Sequence, residues 1–226
     1  MIQPDRPFLL GLTGGMGCGK SAAAAILTAR GIPCVDADRE GHVLLEQPQI
    51  KDRVVQSFGR GVLACDGRIA RGKLASLVFA DGRRRETLEQ LLHPAILEAC
   101  LTAARSLASK GAAVVGLEAA LLLESGFHKS VDAVLVVDCP LELALERLRE
   151  LRGFSPEESL ARMAHQWPAA QKRAGANLVV ENGGSLADLD EALRLAVADL
   201  AAWPALVGTP AGPFLAGVLE AWHGRP

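Results

Sequence analysis

An α/β fold, with a five-stranded parallel sheet flanked by helices, is what the sequence predicts, and three observations predict it. Five short runs are apolar at nearly every position: Phe8 to Thr13, Ile32 to Asp36, Ala113 to Leu117, Val131 to Val137 and Asn177 to Val180. Strands with apolar side chains on both faces are strands covered on both faces. Segments of helix-forming composition separate them, the alternation that builds a parallel sheet between two layers of helices. In sheets of this kind ligands gather at the carboxyl ends of the strands, so chemistry is expected in the residues just after each run.

The first run ends in Gly14-Gly15-Met16-Gly17-Cys18-Gly19-Lys20-Ser21, which fits G-x-x-x-x-G-K-[ST], and Ser21 to Arg30 then reads as a helix rich in alanine and free of glycine and proline. Strand, glycine-rich loop and helix in that order form a phosphate cradle. Glycines let successive backbone N–H groups turn inward, and the helix amino terminus adds a partial positive charge. Lys20 is placed to reach the β and γ phosphates of a nucleotide, and Ser21 offers a hydroxyl to Mg2+.

The second run ends in Val35-Asp36-Ala37-Asp38. A kinase needs a group that orients the attacking hydroxyl and accepts its proton, and Asp38 is the candidate. Asp36 either supports it or contacts the metal shell; the alternative is that one of the two aspartates, Asp36 or Asp38, only caps the helix expected over Arg39 to Glu46. The third run leads into Glu118, an acid placed to hold the waters of a magnesium ion, or else a surface glutamate. Transfer to an acceptor other than water calls for positive charge delivered by a closing lid. Arg147, Arg149 and Arg152 precede Gly153 and a Ser155-Pro156-Glu157-Glu158 helix start. Arg152, at the expected hinge, is the favoured cation. Arg149 is expected to be held against Glu142 or Glu146.

Composition narrows the class. With 226 residues, half of them hydrophobic, and a formal charge of −2, the chain has a sizeable core and no positive field for a nucleic acid. The five cysteines, Cys18, Cys34, Cys65, Cys100 and Cys139, are scattered without metal-ligand spacing, as in a reduced cytoplasmic protein. The apolar run from Phe8 is too short for a signal peptide or a membrane span. No Asn-Lys-x-Asp follows a strand, which argues against a GTPase. A kinase of another small metabolite, or a nucleotide-switched binding protein without catalysis, remains an alternative on these residues alone.

Gly11-Leu12-Thr13 through Ser21, followed by Val35-Asp36-Ala37-Asp38, closely resembles the opening of bacterial dephospho-CoA kinases. The likeness continues in order through Phe58-Gly59, Asp66-Gly67, Arg71, Leu74, Leu91-Leu92-His93-Pro94, Leu117-Glu118, Glu124-Ser125-Gly126, Arg147-Leu148, Ser155, Gln166, Lys172 and Asn182-Gly183-Gly184. That resemblance implies a P-loop kinase fold with a helical substrate-binding insertion and a lid. It also implies transfer of the ATP γ-phosphoryl to the ribose 3′-hydroxyl of dephospho-CoA. On it, Asp36, Arg71, His93 and Gln166 are substrate-binding, and Asn182 joins the loop in binding ATP. The corresponding organisation is a core of residues 8–41, 110–148 and 174–200, a helical CoA-binding subdomain at 42–109 and a lid at 149–173. No nucleic acid or membrane partner is expected, and the chain is expected to be a monomer or weak homo-oligomer. Ala120 and Leu123 stand where that family usually has proline and phenylalanine, a change expected to loosen the turn. No role is assigned to the tail, 204–226.

Overall fold

The computed structural model of the chain describes residues 6–223. Five parallel strands, β1 (Phe8–Gly14), β2 (Cys34–Asp36), β3 (Val114–Glu118), β4 (Ala133–Asp138) and β5 (Leu178–Glu181), lie in the order β2-β3-β1-β4-β5. The most apolar runs hold the centre: β1 is buried along its whole length between β3, with Leu10 opposite Gly116, and β4, with Leu12 opposite Leu135. β2 begins two residues later than its apolar run, at Cys34, because Pro33 has no N–H to give the ladder.

The chain divides into two units, one built from the segments up to Val35 and from Ala103 onward, the other Asp36–Thr102. The first holds the sheet with α1 (Lys20–Ala29), α6 (Leu141–Arg152), α7 (Pro156–Met163), α8 (Ala169–Ala174), α9 (Leu186–Ala201) and α10 (Ala211–His223). Its core joins Leu10, Leu12 and Leu135 to Leu27 of α1, Leu189, Leu193 and Leu200 of α9, and Leu215 and Trp222 of α10. The tail is thus part of the core. Trp222 Nε1 donates to Asp190 Oδ2 at 3.1 Å while Arg30 lies over the indole, 5.5 Å from its centre.

The second unit is helical: α2 (Ala37–Leu44), α3 (Pro48–Phe58), α4 (Arg71–Ala80) and the first part of α5 (Gly82–Ala108). It has a core of its own, built on Leu44, Ile50, Val54, Val62, Ile69, Leu74 and Leu91. Asp36 starts α2 by accepting hydrogen bonds on Oδ1 from the backbone N–H of Asp38, at 2.9 Å, and of Arg39, at 3.1 Å. That cap moves the helix start ahead of the expected Arg39. In α5, Gly41 of α2 approaches Ile96 so closely that a Cβ there would lie 3.1 Å from Ile96 Cδ1.

Candidate functional site

β1 runs straight into the glycine loop, and α1 begins at Lys20. Gly19 has φ +89°, a left-handed conformation that side chains resist, and a Cβ on it would collide with the Asn182 amide nitrogen. A Cβ at Gly17 would sit 2.6 Å from the Ala144 carbonyl oxygen. Glycine is needed at both positions for the loop to lie this close to α6 and to the residue after β5. The loop is also held by bonds to its backbone. Asn182, buried at 5% exposure, donates from Nδ2 to the Cys18 carbonyl at 2.9 Å, and Gln166 Oε1 accepts from the Met16 N–H at 2.9 Å.

At the mouth of α1, the exposed Ser21 donates from Oγ to Glu118 Oε1 at 2.8 Å. A hydroxyl and a carboxylate from two different segments are therefore side by side next to Lys20, both oxygen donors of the kind a small hard cation takes. Among the described residues no three His, Cys, Asp or Glu side chains group into a complete metal site. A cation held at Ser21 and Glu118 would draw its remaining ligands from phosphate and water.

The cations of the segment after β4 divide by what they touch. Arg147 points back at the β5 end, donating from Nη1 to the Asn182 carbonyl at 3.1 Å and from Nη2 to Asn182 Oδ1 at 3.4 Å. It thereby fixes the amide that props Cys18. Arg149 is exposed and forms no ion pair among the described residues, so the expected pairing with Glu142 or Glu146 is not made. Arg152 is exposed at the last position of α6, which Gly153 closes at φ +67°. α7 starts at Ser155 with a capping box closed by Glu158, and Arg162 lies 4.4 Å from the centre of the Phe154 ring. Arg173 pairs with Asp138 Oδ2 at 2.9 Å and with Glu181.

Lys172 was the residue least legible as part of this region. It is 1% exposed, with Nζ 2.7 Å from Glu124 Oε1 and 3.0 Å from the Ala120 carbonyl oxygen. Burial pushes its pKa down, while Glu124 opposes the shift. Thr13 Oγ1 also donates to the Ala120 carbonyl, at 3.4 Å, and Leu123 is 3% exposed, packed against Gly175. These contacts hold the turn that carries alanine and leucine in place of proline and phenylalanine.

The sequence profile of the dephospho-CoA kinase family matches residues 8–188. The chain belongs to the dephospho-CoA kinase family. It is 37% identical over 198 residues to a dephospho-CoA kinase of Geobacillus kaustophilus, covering 87% of this chain and 97% of that one. It is 41% identical over 196 residues to one from Frankia casuarinae, covering 86% and 84%. Among solved structures it is similar to a Thermus thermophilus protein, with a TM-score of 0.76, 36% identity and coverage of 86% and 98%. It is also similar to the dephospho-CoA kinase from Campylobacter jejuni, with a TM-score of 0.62, 25% identity and coverage of 85% and 96%.

Family membership directs attention to the helical unit. There Asp38 is exposed in the first turn of α2, and the carboxylates of Asp36, Asp38 and Glu40 act on the buried Cys100 of α5, whose thiol is pushed up to about 12, chiefly by burial. His93, Ile96 and Cys100 fall at helical spacing on one face of α5. His93 is partly buried, and burial lowers its pKa against the charge of Glu89, which favours the neutral imidazole. Arg71 is exposed at the first position of α4. Gln166 touches the phosphate loop, whereas the resemblance had suggested the substrate side.

Proposed function

We propose that the chain is a dephospho-CoA kinase, transferring the γ-phosphoryl of ATP to the ribose 3′-hydroxyl of dephospho-CoA. The observation that carries the reading is an intact phosphate loop with Ser21 hydrogen-bonded to Glu118, in a chain matched from residue 8 to residue 188 by that family. Gly14 to Gly19 receive the phosphates on backbone N–H groups, and Lys20 follows the γ-phosphoryl as charge moves onto its oxygens. Ser21 would hold magnesium by its hydroxyl, and Glu118 would hold the ion's waters. When bound, Mg2+ neutralises charge on the β and γ phosphates.

Asp38 takes the proton of the attacking hydroxyl. Its exposed place on α2 supports this, and the capping bonds of Asp36 support a division of labour in which Asp36 sets the helix that carries Asp38. Arg71 and His93 bind the CoA portion, His93 as a neutral hydrogen-bonding group. Asn182 borders the nucleotide while holding the loop. Arg152 brings its guanidinium to the phosphates as the lid, residues 149–173, closes, and its exposed place beside Gly153 supports that role. Free thiols at all five cysteines support a cytoplasmic location.

Asp38→Asn keeps the shape and removes the proton acceptor, so steady-state turnover with ATP and dephospho-CoA is expected to fall by about two to four orders of magnitude. ATP affinity, read by calorimetry, should stay near the parent value. Turnover that persists in Asp38→Asn while Asp36→Asn is inactive would transfer the base to Asp36.

A further inference from the structure

Two cysteines far apart in the chain meet at the phosphate loop. Cys18 lies within the loop at 5% exposure, and Cys139 directly follows β4 and is partly exposed. Their sulfurs are 3.3 Å apart, with the Cys139 thiol donating to Cys18. Both backbones are anchored. The Cys18 N–H donates to the Gly15 carbonyl at 3.2 Å and its own carbonyl accepts from Asn182, while the Cys139 N–H donates to Asp138 Oδ1 at 2.9 Å. Asp138 is itself tied to Arg173. The sulfurs are therefore held in contact by fixed surroundings.

The proton is shared unequally between them. The hydrogen bond from Cys139 brings the Cys18 thiol down to about 7, with help from Lys20 and against burial and the charge of Asp138. Cys139 shifts upward, because it keeps the proton that Cys18 loses and is itself partly desolvated. One thiolate beside one thiol is the arrangement of an attacking and a resolving cysteine. Cys34 and Cys100, by contrast, are driven up to about 11 and about 12, chiefly by burial.

We propose that Cys18 and Cys139 form a redox modification site, closed to a disulfide by a hydroperoxide and opened by a thiol reductant, which lowers the affinity of the phosphate loop for nucleotide. In the first step the Cys18 thiolate attacks one oxygen of hydrogen peroxide. An S–O bond forms, the O–O bond breaks, and hydroxide leaves, giving the sulfenic acid. In the second step Cys139 gives up its proton and its sulfur attacks the Cys18 sulfur. The S–S bond forms, the S–O bond breaks, and the departing hydroxide takes that proton as water. Together the two thiols lose two protons and two electrons, and the peroxide is reduced to two waters.

A disulfide requires the sulfurs to approach to about 2.05 Å, so they close by about one ångström. That movement draws Cys18 toward β4 and turns the neighbouring N–H groups away from the phosphates. Loss of one or two charge-assisted hydrogen bonds raises the ATP dissociation constant about tenfold or more. This consequence rests on the loop being the nucleotide site, while the cross-link itself does not.

The test treats the reduced full-length protein with graded hydrogen peroxide, blocks remaining thiols with iodoacetamide and maps the digest by mass spectrometry. ATP binding is followed calorimetrically on the same samples. The expected result is a Cys18–Cys139 cross-linked peptide pair two hydrogens lighter than its parts, weaker ATP binding in parallel, and return of both to the starting state with dithiothreitol. Cys139→Ser is expected to bind ATP like the reduced parent, to form no cross-link, and to lose no binding that dithiothreitol restores. Oxidation that bypasses this pair, or a cross-link with unchanged ATP affinity, would overturn the proposal. Failure of the reduced parent to bind ATP would instead refute the nucleotide reading, leaving the mapped cross-link as a separate result.

Discussion

At the scale of single residues, the fully buried Lys172 is paired with the partly buried Glu124. Glu124 Oε1 accepts from the Trp167 N–H at 2.8 Å as well as from Lys172, and the buried Oε2 has no partner among the described residues. The pair therefore fastens the turn after β3 to α8 and to the segment before it. Removing only the cation strands a carboxylate, which costs about 3–5 kcal/mol, whereas apolar replacement of both partners recovers much of that loss. Denaturant unfolding of Lys172→Met is expected to show such a drop, and Lys172→Met combined with Glu124→Leu at least half of it regained. Equal stability of Lys172→Met and the parent would show that the pair contributes nothing.

What was legible at this scale follows from distance along the chain. Ser21 and Glu118 could be expected on the same edge of the sheet because a strand end fixes where the next residue lies. The burial of Lys172 could not be foreseen, since lysines are almost always exposed and its partner lies 48 residues away. The partner of Arg147 was hidden for a similar reason, because it depends on where β5 ends in space.

At the scale of elements, the strands and α1 were legible from apolar runs and a glycine loop, and α7 from its Ser155 cap. The boundaries of β2 and α2 shifted under local chemistry that the apolar pattern does not weigh, Pro33 in one case and the Asp36 cap in the other. α10 was missed because prolines and glycines near its start, Pro210, Gly212 and Pro213, obscure a helix whose apolar face is completed by distant elements, α9 and β3 among them. Burial of Leu215, Val218 and Trp222 makes that face part of the main core. Trp222→Ala removes the indole and its bond to Asp190, and is expected to lower the unfolding free energy by about 3–5 kcal/mol. None of the loop's partners lies in α10, so kcat at a temperature where the variant is folded should match the parent. A large loss of kcat with unchanged stability would tie α10 to the chemistry instead.

At the scale of the whole molecule, a nearly neutral chain holds a phosphate loop in one unit and a helical unit with its own core in another. Among the described residues no helix is long and apolar enough to cross a membrane. The function proposed above assigns the phosphoryl group to the loop and the acceptor to the helical unit. The general chemistry could be read from the loop, but the acceptor could be read only from the succession of matches to one family along the chain, because the loop motif itself is common to kinases of many acceptors. The most direct measurement incubates the purified protein with ATP, Mg2+ and dephospho-CoA and resolves the products by mass spectrometry and phosphorus NMR. One ADP should form for each coenzyme A, with the new phosphate on the ribose 3′-hydroxyl. ADP released with free phosphate alone, or a phosphate placed on any other hydroxyl, would contradict the assignment.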